Sequence, residues 1–377
     1  MQKNLTDYIF KNDVLNYESH LNGFTDSILQ SFDSKSKELN LESKIDDLLT
    51  GKIVNISENQ AAWHPKYRRK FDSIIPTKEN KSKYKNVVTL GIGGSFEGPK
   101  LLIESLNNDN SDINHIFITG SDLNEFKDKL SNINPDETIF IVSSKSFTTD
   151  ETLETLKESI KWSGNMEKFI AITANKEEAA KYNIKEIIEF DKEIGGRYSI
   201  WSDIHLPALY CPKSNFDARK FLKGGHQADL DIQNNSDYLN FIKILSFSDI
   251  WFNNFDGKNT RAILSYSWKL RSFANYAQQL EMESLGKHPN QNSEYKNTGQ
   301  IIFGGYGPTA QHSYFQLMHQ GTQNICADII ASKEETKSLA YAQAITQAKL
   351  LSFGAENLLK EEEKINGNIP INLFLLN

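Results

Sequence analysis

The 377-residue sequence predicts an α/β protein, in which two α/β domains with parallel sheets follow an N-terminal helical arm. Two observations predict this class. Short apolar runs rich in β-branched residues alternate with helix-length polar segments, which is typical of strands joined by crossover helices. A second unit of strand, glycines and helix, "GQIIFGGYG" followed by "TAQHSYFQLMHQG", returns later in the chain. We therefore expect three layers in each domain, with helices covering both faces of a sheet.

The elements predict three segments. Residues 1–76 are polar, helical in pattern and without a strand signal, and a lysine-rich hinge, "KENKSKYK", follows them. The first α/β domain is expected at 77–214, with strands in "NVVTLGI", "HIFITG", "ETIFIVS" and "EKFIAITA". The second is expected at 215–377. It opens with the long amphipathic, helix-like runs "SDYLNFIKILSFSDIWF" and "NTRAILSYSWKLRSFANYAQQLEMES".

Composition narrows the function classes. A net charge of −7 argues against a large nucleic-acid-binding surface. No apolar run is long enough to cross a bilayer, and the charged N-terminus does not read as a signal peptide, so we expect a cytoplasmic protein. The two cysteines, Cys211 and Cys326, show no metal-ligand spacing and are expected to be free, buried thiols. We expect no metal.

The stretch "GIGGSFEG" resembles a dinucleotide-binding loop only in part. Gly91 and Gly93 fit G-x-G-x-x-G, but Phe96 stands where the last glycine should be. Asp122, the candidate for a ribose-binding acid, lies beyond a turn. The loop could still offer backbone amides and Ser95 to an anion or a sugar hydroxyl at a helix N-terminus. A tight strand-to-helix turn without a ligand is the alternative.

The stretch "SSKSFTTDET" follows an apolar strand and is rich in hydroxyl groups. Hydroxyls, a lysine and a helix N-terminus together suit a phosphate monoester, and ligands of parallel sheets bind at this edge. The alternative is a capping box, in which Thr148 and Glu151 satisfy the first turn of the helix. That would explain one or two residues of a set of six: Ser143, Ser144, Lys145, Ser146, Thr148 and Thr149.

Two further polar groups are candidates for chemistry. Arg197 follows Gly195 and Gly196, which allow a close backbone approach, so its guanidinium could meet a ligand or a developing oxyanion. Gln279 and Glu283 share one helical face. Partial burial near the end of that helix would raise the pKa of Glu283 towards that of a general base. A structural ion pair and a solvated glutamate are the respective alternatives.

Histidines are also candidates, and spacing alone does not choose between His312 and His319. A helix is expected to begin near Pro308, with His312 in its first turns and His319 seven residues further on. Neither forms the i, i+4 pair typical of a metal site, and one of the two is expected to be packed in the core.

Six segments, in order along the chain, resemble the phosphoglucose isomerase family: "GIGGSFEGP", "SSKSFTTDET", "IGGRYSIWSDIHLP", "MESLGK", "AQHSYFQLMHQGT" and "GNIPIN". The resemblance implies two sugar-isomerase (SIS-type) α/β domains in a homodimer with a shared active site. It implies interconversion of glucose 6-phosphate and fructose 6-phosphate through an enediol(ate), in glycolysis and gluconeogenesis, with no cofactor and no metal.

The resemblance also implies roles by position. Phosphate binding would fall to Ser144, Lys145, Ser146 and Thr149, and the sugar would be lined by Gly94, Ser95 and Gly196. Further roles would be divided as follows: Arg197 stabilises the enediolate, Gln279 positions the substrate, Glu283 moves the proton, and His312, from the neighbouring subunit, assists ring opening.

The sequence departs from the family's pattern in three places. Ile369 replaces an arginine, "GGYGPTAQH" replaces "GEPGTNGQH", and no residue matches a lysine of the family's C-terminal helix. We therefore expect a second domain that is C-terminally incomplete, with "INLFLLN" as an exposed final strand, weak substrate binding and poor turnover. The alternatives in function are a dual phosphoglucose/phosphomannose isomerase and a non-catalytic sugar-phosphate-binding protein.

Overall fold

The computed structural model describes residue 5 and residues 7–73, 84–106, 113–209, 218–355 and 360–377. Its strands are β1 (Tyr8–Lys11), β2 (Leu15–His20), β3 (Asn86–Leu90), β4 (Asn114–Ile118), β5 (Thr138–Ser143), β6 (Phe169–Thr173), β7 (Glu186–Glu189), β8 (Thr260–Ser265), β9 (Ile301–Tyr306), β10 (Ile325–Ser332) and β11 (Ile371–Leu376). Its helices are α1 (Asp26–Glu38), α2 (Leu41–Thr50), α3 (Pro65–Arg68), α4 (Gly94–Leu106), α5 (Leu123–Leu130), α6 (Asp150–Ser163), α7 (Lys176–Ala180), α8 (Leu206–Leu209), α9 (Ala218–Asn234), α10 (Ser236–Asn254), α11 (Phe273–Leu285), α12 (Gly307–Ala310), α13 (Phe315–Gln320) and α14 (Leu339–Phe353).

The chain divides into two compact units. Unit 1 combines residues 1–42 with 230–377, and unit 2 is residues 43–229. These units differ from the three predicted segments, because residues 1–42 join the C-terminal part of the chain. The predicted boundaries at 76/77 and 214/215, residues 78–83 of the lysine-rich hinge, and Cys211 lie outside the described residues.

Unit 2 is built on a five-stranded sheet in the order β4-β3-β5-β6-β7, and every pairing is parallel. All residues of β3, β5 and β6 are buried, as expected for strands covered on both faces. The stacked rings of Phe140 and Phe169, 4.7 Å apart, lie in the core on one face. The predicted parallel sheet of the first domain is confirmed.

Unit 1 contains a six-stranded sheet in the order β1-β2-β11-β10-β8-β9. The strands β9, β8, β10 and β11 are parallel, and α14 packs in the core cluster on one of their faces. Strand β8 lies inside "NTRAILSYSWKL", which was predicted to be helical. Its residues 261–265 are all buried although Arg261 and Ser265 are polar, which is typical of a strand inside a parallel sheet and not of an amphipathic helix.

The N-terminal segment corrects the prediction of a purely helical arm. Strands β1 and β2 form an antiparallel hairpin, and β2 pairs antiparallel with β11. The side chain of Asn12 closes the hairpin turn by accepting hydrogen bonds from the backbone N–H groups of Val14, at 3.0 Å, and Leu15, at 2.8 Å. This turn chemistry is typical of asparagine. The strands on either side are too short to show a clear alternation of apolar and polar residues, so the sequence did not predict them.

The C-terminal strand is not the exposed edge that the sequence predicted. Strand β11 pairs with β10 on one side and with β2 on the other. A buried polar chain joins the three strands: the hydroxyl of Tyr17 donates to Asn372 Oδ1 at 2.7 Å, and Asn372 Nδ2 donates to Asp328 Oδ1 at 2.8 Å. The hairpin therefore supplies both the backbone and a side-chain partner for the last strand.

Replacing Tyr17 by phenylalanine is expected to destabilise unit 1 by about 1–3 kcal/mol, because the buried amide oxygen of Asn372 loses its donor. Urea unfolding measures this change. Tyr8→Phe is the matched control in the same hairpin, since the hydroxyl of Tyr8 bonds to Asp26 in an exposed position. An equal cost for the two variants would show that the buried hydrogen bond contributes nothing.

A buried charge cluster lies on the same face as this polar chain, opposite the face that α14 covers. The guanidinium of Arg261, on β8, pairs with Asp249 of α10 and Glu281 of α11, and its Nε lies 3.5 Å from Asp328 Oδ2 on β10. Burial raises the pKa values of Asp249 and Glu281, against the attraction of Arg261. One arginine thus ties three elements to β8.

Two other expectations concern cysteine and membranes. Cys326 is a buried free thiol, as predicted. In the part of the chain that the structure describes, no helix has the length and apolarity that a membrane span requires.

Candidate functional site

Three loops of unit 2 carry most of the predicted site residues. The glycine loop, residues 91–95, follows β3; the hydroxyl loop, residues 144–149, follows β5; and the arginine loop, residues 195–197, comes after β7. Because β3 and β5 are parallel neighbours, their loops open at the same edge of the sheet. A Cβ atom added to Gly91 would lie 2.9 Å from the carbonyl oxygen of Ser143, so the glycine loop touches the last residue of β5, directly before the hydroxyl loop.

The glycine loop and the arginine loop meet backbone to backbone. A Cβ atom at Gly94 would lie 1.9 Å from the carbonyl oxygen of Gly196 and 3.1 Å from the backbone nitrogen of Arg197. The hydroxyl of Ser199 donates to the carbonyl oxygen of Gly94 at 3.3 Å. The structure therefore brings the predicted residues Gly94, Gly196 and Arg197 together, and glycine is required at 94 for this approach.

Gly94→Ala is expected to destabilise unit 2 by about 1–3 kcal/mol, because the methyl group can be accommodated only by moving the arginine loop. Chemical unfolding of the two single variants checks this. Gly196→Ala is the control from the other side of the contact, since a Cβ atom there would meet nothing within 4 Å. A Gly94→Ala protein as stable as Gly196→Ala would contradict the close approach.

The hydroxyl loop is wound tightly around its own side chains. The Ser144 hydroxyl lies 3.2 Å from that of Thr149 and accepts the backbone N–H of Phe147 at 3.1 Å. Phe147 is buried with φ +55°, a backbone conformation that bulky residues rarely adopt. The hydroxyl of Thr148 donates to Ser146 at 2.7 Å.

The first turn of α6 is not closed by a capping box. Its N-cap is Thr149, which makes no side-chain capping hydrogen bond, and Thr148 bonds to Ser146 instead of to the helix. The N-terminus of a 14-residue helix therefore faces the hydroxyl loop without a side-chain cap. Backbone N–H groups in this situation favour an anion.

Two cations lie at this edge of unit 2, and each is held by a residue that sequence reasoning missed. Arg197 is only 4% exposed; its Nη1 and Nη2 donate to Glu58 Oε1 at 3.3 and 3.4 Å. Lys145 Nζ donates to Gln60 Oε1 at 3.3 Å. Burial lowers the pKa of Lys145, and the charges of Glu193 and Glu58 oppose that shift. The sequence of residues 55–59 predicts only a turn. A turn pattern gives no information about contacts with residues more than 80 positions away along the chain.

The glycine loop has none of the chemistry of a dinucleotide site. The ring of Phe96 packs edge-on against Phe117, with centroids 5.2 Å apart. Asp122 caps α5 by accepting the N–H of Asn124 at 2.9 Å. Gly98 permits the close approach of α4 to Ile200, whose Cβ would be 3.0 Å from an added Cβ. These residues have structural roles that explain their presence.

Unit 1 carries the other predicted residues. Gln279 Nε2 donates to Glu283 Oε2 at 3.0 Å, so the two residues share a face of α11 as predicted. The helix ends at Leu285, where the N–H of Gly286 donates to the carbonyl oxygen of Met282 at 2.8 Å. The expected partial burial of Glu283 is not found, since its side chain is exposed.

The two histidines have different surroundings. His312 is exposed and lies in the turn between α12 and α13, so the single helix predicted from Pro308 is interrupted. His319 is half-buried in α13, where its Nε2 lies 2.9 Å from Gln347 Oε1 and its ring packs against Phe315. His319 is thus the packed histidine of the pair.

Unit 1 also contains a cavity of about 770 Å³. Its walls are mostly apolar and come from α10, α11 and the sheet; the cluster of Arg261, Asp249, Glu281 and Asp328 lines it. Gln279, Glu283 and His312 do not contribute to its lining. Among the described residues, no three His, Cys, Asp or Glu side chains are grouped so as to hold a metal ion.

Comparisons with known proteins all find glucose-6-phosphate (phosphoglucose) isomerases. A family model described as phosphoglucose isomerase matches residues 76–369. The glucose-6-phosphate isomerase of Legionella pneumophila (strain Paris) is 35% identical over 379 residues, which cover 90% of this chain and 75% of the relative. That of Buchnera aphidicola subsp. Acyrthosiphon pisum (strain Tuc7) is 33% identical over 365 residues, covering 86% and 66%.

The fold has a counterpart among solved structures. A crystal structure of a glucose-6-phosphate isomerase from Chlamydia trachomatis D/UW-3/Cx superposes with a TM-score of 0.83 at 23% sequence identity. The match covers 98% of this chain and 80% of that one. The predicted α/β fold class with parallel sheets is confirmed.

Proposed function

The chain belongs to the phosphoglucose isomerase family, and from this premise we propose that it interconverts glucose 6-phosphate and fructose 6-phosphate through an enediolate. It is an aldose–ketose isomerase. The family match covers residues 76–369, which include every residue that the sequence assigned to the site.

The observation that carries the proposal is the meeting of three loops at one edge of the unit 2 sheet. The hydroxyl loop and the uncapped N-terminus of α6 suit the phosphate, with Ser144, Lys145, Ser146 and Thr149 as the binding groups. The sugar would lie beside Gly94, Ser95 and Gly196, and there is open space at Gly196, where an added Cβ atom would meet nothing within 4 Å. Buried Arg197 supplies a fixed positive charge.

The proposed chemistry is a proton transfer between two adjacent carbons. Glu283 removes the proton from C2 of the open-chain aldose, and the electrons flow to the C1 carbonyl oxygen to give the enediolate. The same carboxyl then delivers that proton to C1, the proton of the C2 hydroxyl passes to the negative oxygen on C1, and C2 becomes the carbonyl carbon of the ketose, so that no atom is gained or lost. Arg197 stabilises the negative oxygen, and Gln279 holds the carboxylate of Glu283 by its amide.

Three finer points extend the proposal. We infer a homodimer in which His312 of the neighbouring subunit assists ring opening; its exposure in a turn supports a role towards a second chain. We propose that the reaction serves glycolysis and gluconeogenesis and that the protein acts in the cytoplasm. No cofactor and no metal are part of this chemistry.

The experiment that tests the proposal is interconversion of the two hexose 6-phosphates by the 377-residue protein, with mannose 6-phosphate in parallel. Turnover of glucose 6-phosphate alone supports the proposal. Equal turnover of mannose 6-phosphate would show dual specificity. Binding of sugar phosphates without turnover of any would favour a non-catalytic binding protein and overturn the proposal.

A further inference from the structure

One short turn contacts both cations of the candidate site. This turn, residues 55–60, places Glu58 Oε1 within 3.4 Å of both terminal nitrogens of Arg197 and Gln60 Oε1 3.3 Å from Lys145 Nζ. We propose that Glu58 and Gln60 are positioning residues, Glu58 for the enediolate-stabilising arginine and Gln60 for the phosphate-binding lysine. This inference rests on the proposed function and adds two residues to its site.

The turn is held well enough to position other groups. Asn55 and Gln60 exchange two backbone hydrogen bonds, of 3.0 and 3.1 Å, and Asn55 Oδ1 accepts the N–H of Glu58. The residues just after the turn are hydrogen-bonded to the segment that precedes the arginine loop. The N–H of Trp63 donates to the carbonyl oxygen of Glu193 at 3.0 Å. Glu58 is thereby fixed relative to the loop that carries Arg197.

Charge explains why a carboxylate faces Arg197. The arginine side chain is 3% exposed, and a buried guanidinium requires a counter-charge. Glu58, whose side chain is 30% exposed, supplies it, while the ring of Tyr198 lies against the guanidinium at 5.0 Å. A carboxylate on one edge and a ring on the face leave the plane of the guanidinium little freedom. Such fixed orientation is what stabilisation of a developing oxyanion requires.

Charge also explains why a neutral amide faces Lys145. A carboxylate at position 60 would pair with the ammonium and compete with a phosphate for it. The amide oxygen of Gln60 accepts one N–H and keeps the full positive charge available. Lys145 itself is anchored at its backbone, whose carbonyl oxygen accepts the N–H of Ala174 at 3.0 Å. The ammonium at the end of the flexible side chain is thus held by Gln60.

The two roles predict opposite kinetic signatures. Glu58→Ala should lower kcat about tenfold or more with KM within about twofold, because Arg197 acts on charge that develops in the transition state. Glu58→Gln should regain part of that loss, since the amide oxygen still accepts from the guanidinium although the counter-charge is gone. Gln60→Ala should raise KM for fructose 6-phosphate about fivefold with kcat within about twofold. Ile56→Ala, at a side chain 85% exposed in the same turn, is the control and should change neither constant.

Several results would overturn the inference. A kcat for Glu58→Ala equal to or above that of the wild type would show that Glu58 is idle or competes with the substrate. Equal losses in both constants in both variants, with a matching fall in thermal stability, would show a merely structural role.

A wild-type protein without turnover would count against the proposed function, and the inference would then be judged by binding. Gln60→Ala should weaken binding of inorganic phosphate about fivefold. Glu58→Ala should weaken the binding of a phosphorylated sugar acid, whose carboxylate imitates the enediolate. It should leave the binding of inorganic phosphate unchanged. Unchanged affinities in both titrations would refute the positioning roles.

Discussion

Glu283→Gln is expected to lower kcat for the interconversion of glucose 6-phosphate and fructose 6-phosphate by about 10²- to 10⁴-fold, the usual contribution of a general base. Glutamine has the same shape and can still contact Gln279, but its amide cannot accept the proton from C2. Steady-state kinetics in both directions measures the loss.

The matched control for this variant is Glu38→Gln, the same chemical change at a side chain that is 69% exposed on α1. It should leave turnover unchanged. Turnover by Glu283→Gln within a few fold of the wild type would remove Glu283 from the role of base. The enzyme's base would then have to be sought among the other carboxylates.

Arg261→Met is expected to destabilise unit 1 by about 3–5 kcal/mol, the usual cost of removing one partner of a buried ionic cluster. Methionine fills much of the volume, but Asp249, Glu281 and Asp328 would lose their shared cation. The change is read from the free energy of unfolding in urea.

Arg271→Met is the control for this change, because the guanidinium of the half-buried Arg271 stacks on the exposed ring of Trp268. A loss below about 1 kcal/mol is expected there. If Arg261→Met were as mild as Arg271→Met, the cluster would not be what ties α10 and α11 to the sheet.

The parts of the fold that the sequence predicted are those with local signals. The strands of unit 2 are continuous apolar runs between helix-length segments, and such runs identify a buried parallel sheet without any knowledge of tertiary contacts. The hairpin of residues 8–20 was missed because its strands are short, and because β2 pairs with a strand that lies more than 350 residues away. The sequence of neither strand indicates that it pairs with the other.

The site divides in the same way. The glycine, hydroxyl and arginine loops were predicted from motifs of a few residues, and the contact between Gly94 and Gly196 accounts for two of their glycines. Glu58 and Gln60 were missed, since their importance comes only from their distance to Arg197 and Lys145. The exposure of Glu283 also differs from expectation, because burial is a property of packing and not of helical spacing.

The pairing of β2 with β11 has a consequence for synthesis on the ribosome. Residues 43–229 form one continuous stretch, so unit 2 can fold as soon as it has emerged. The hairpin of unit 1 is made among the first residues but gains its sheet partner only when residues 371–376 appear. Until then the edge of β2 that will meet β11 has no partner strand, and an unpaired edge of this kind is open to pairing with another chain.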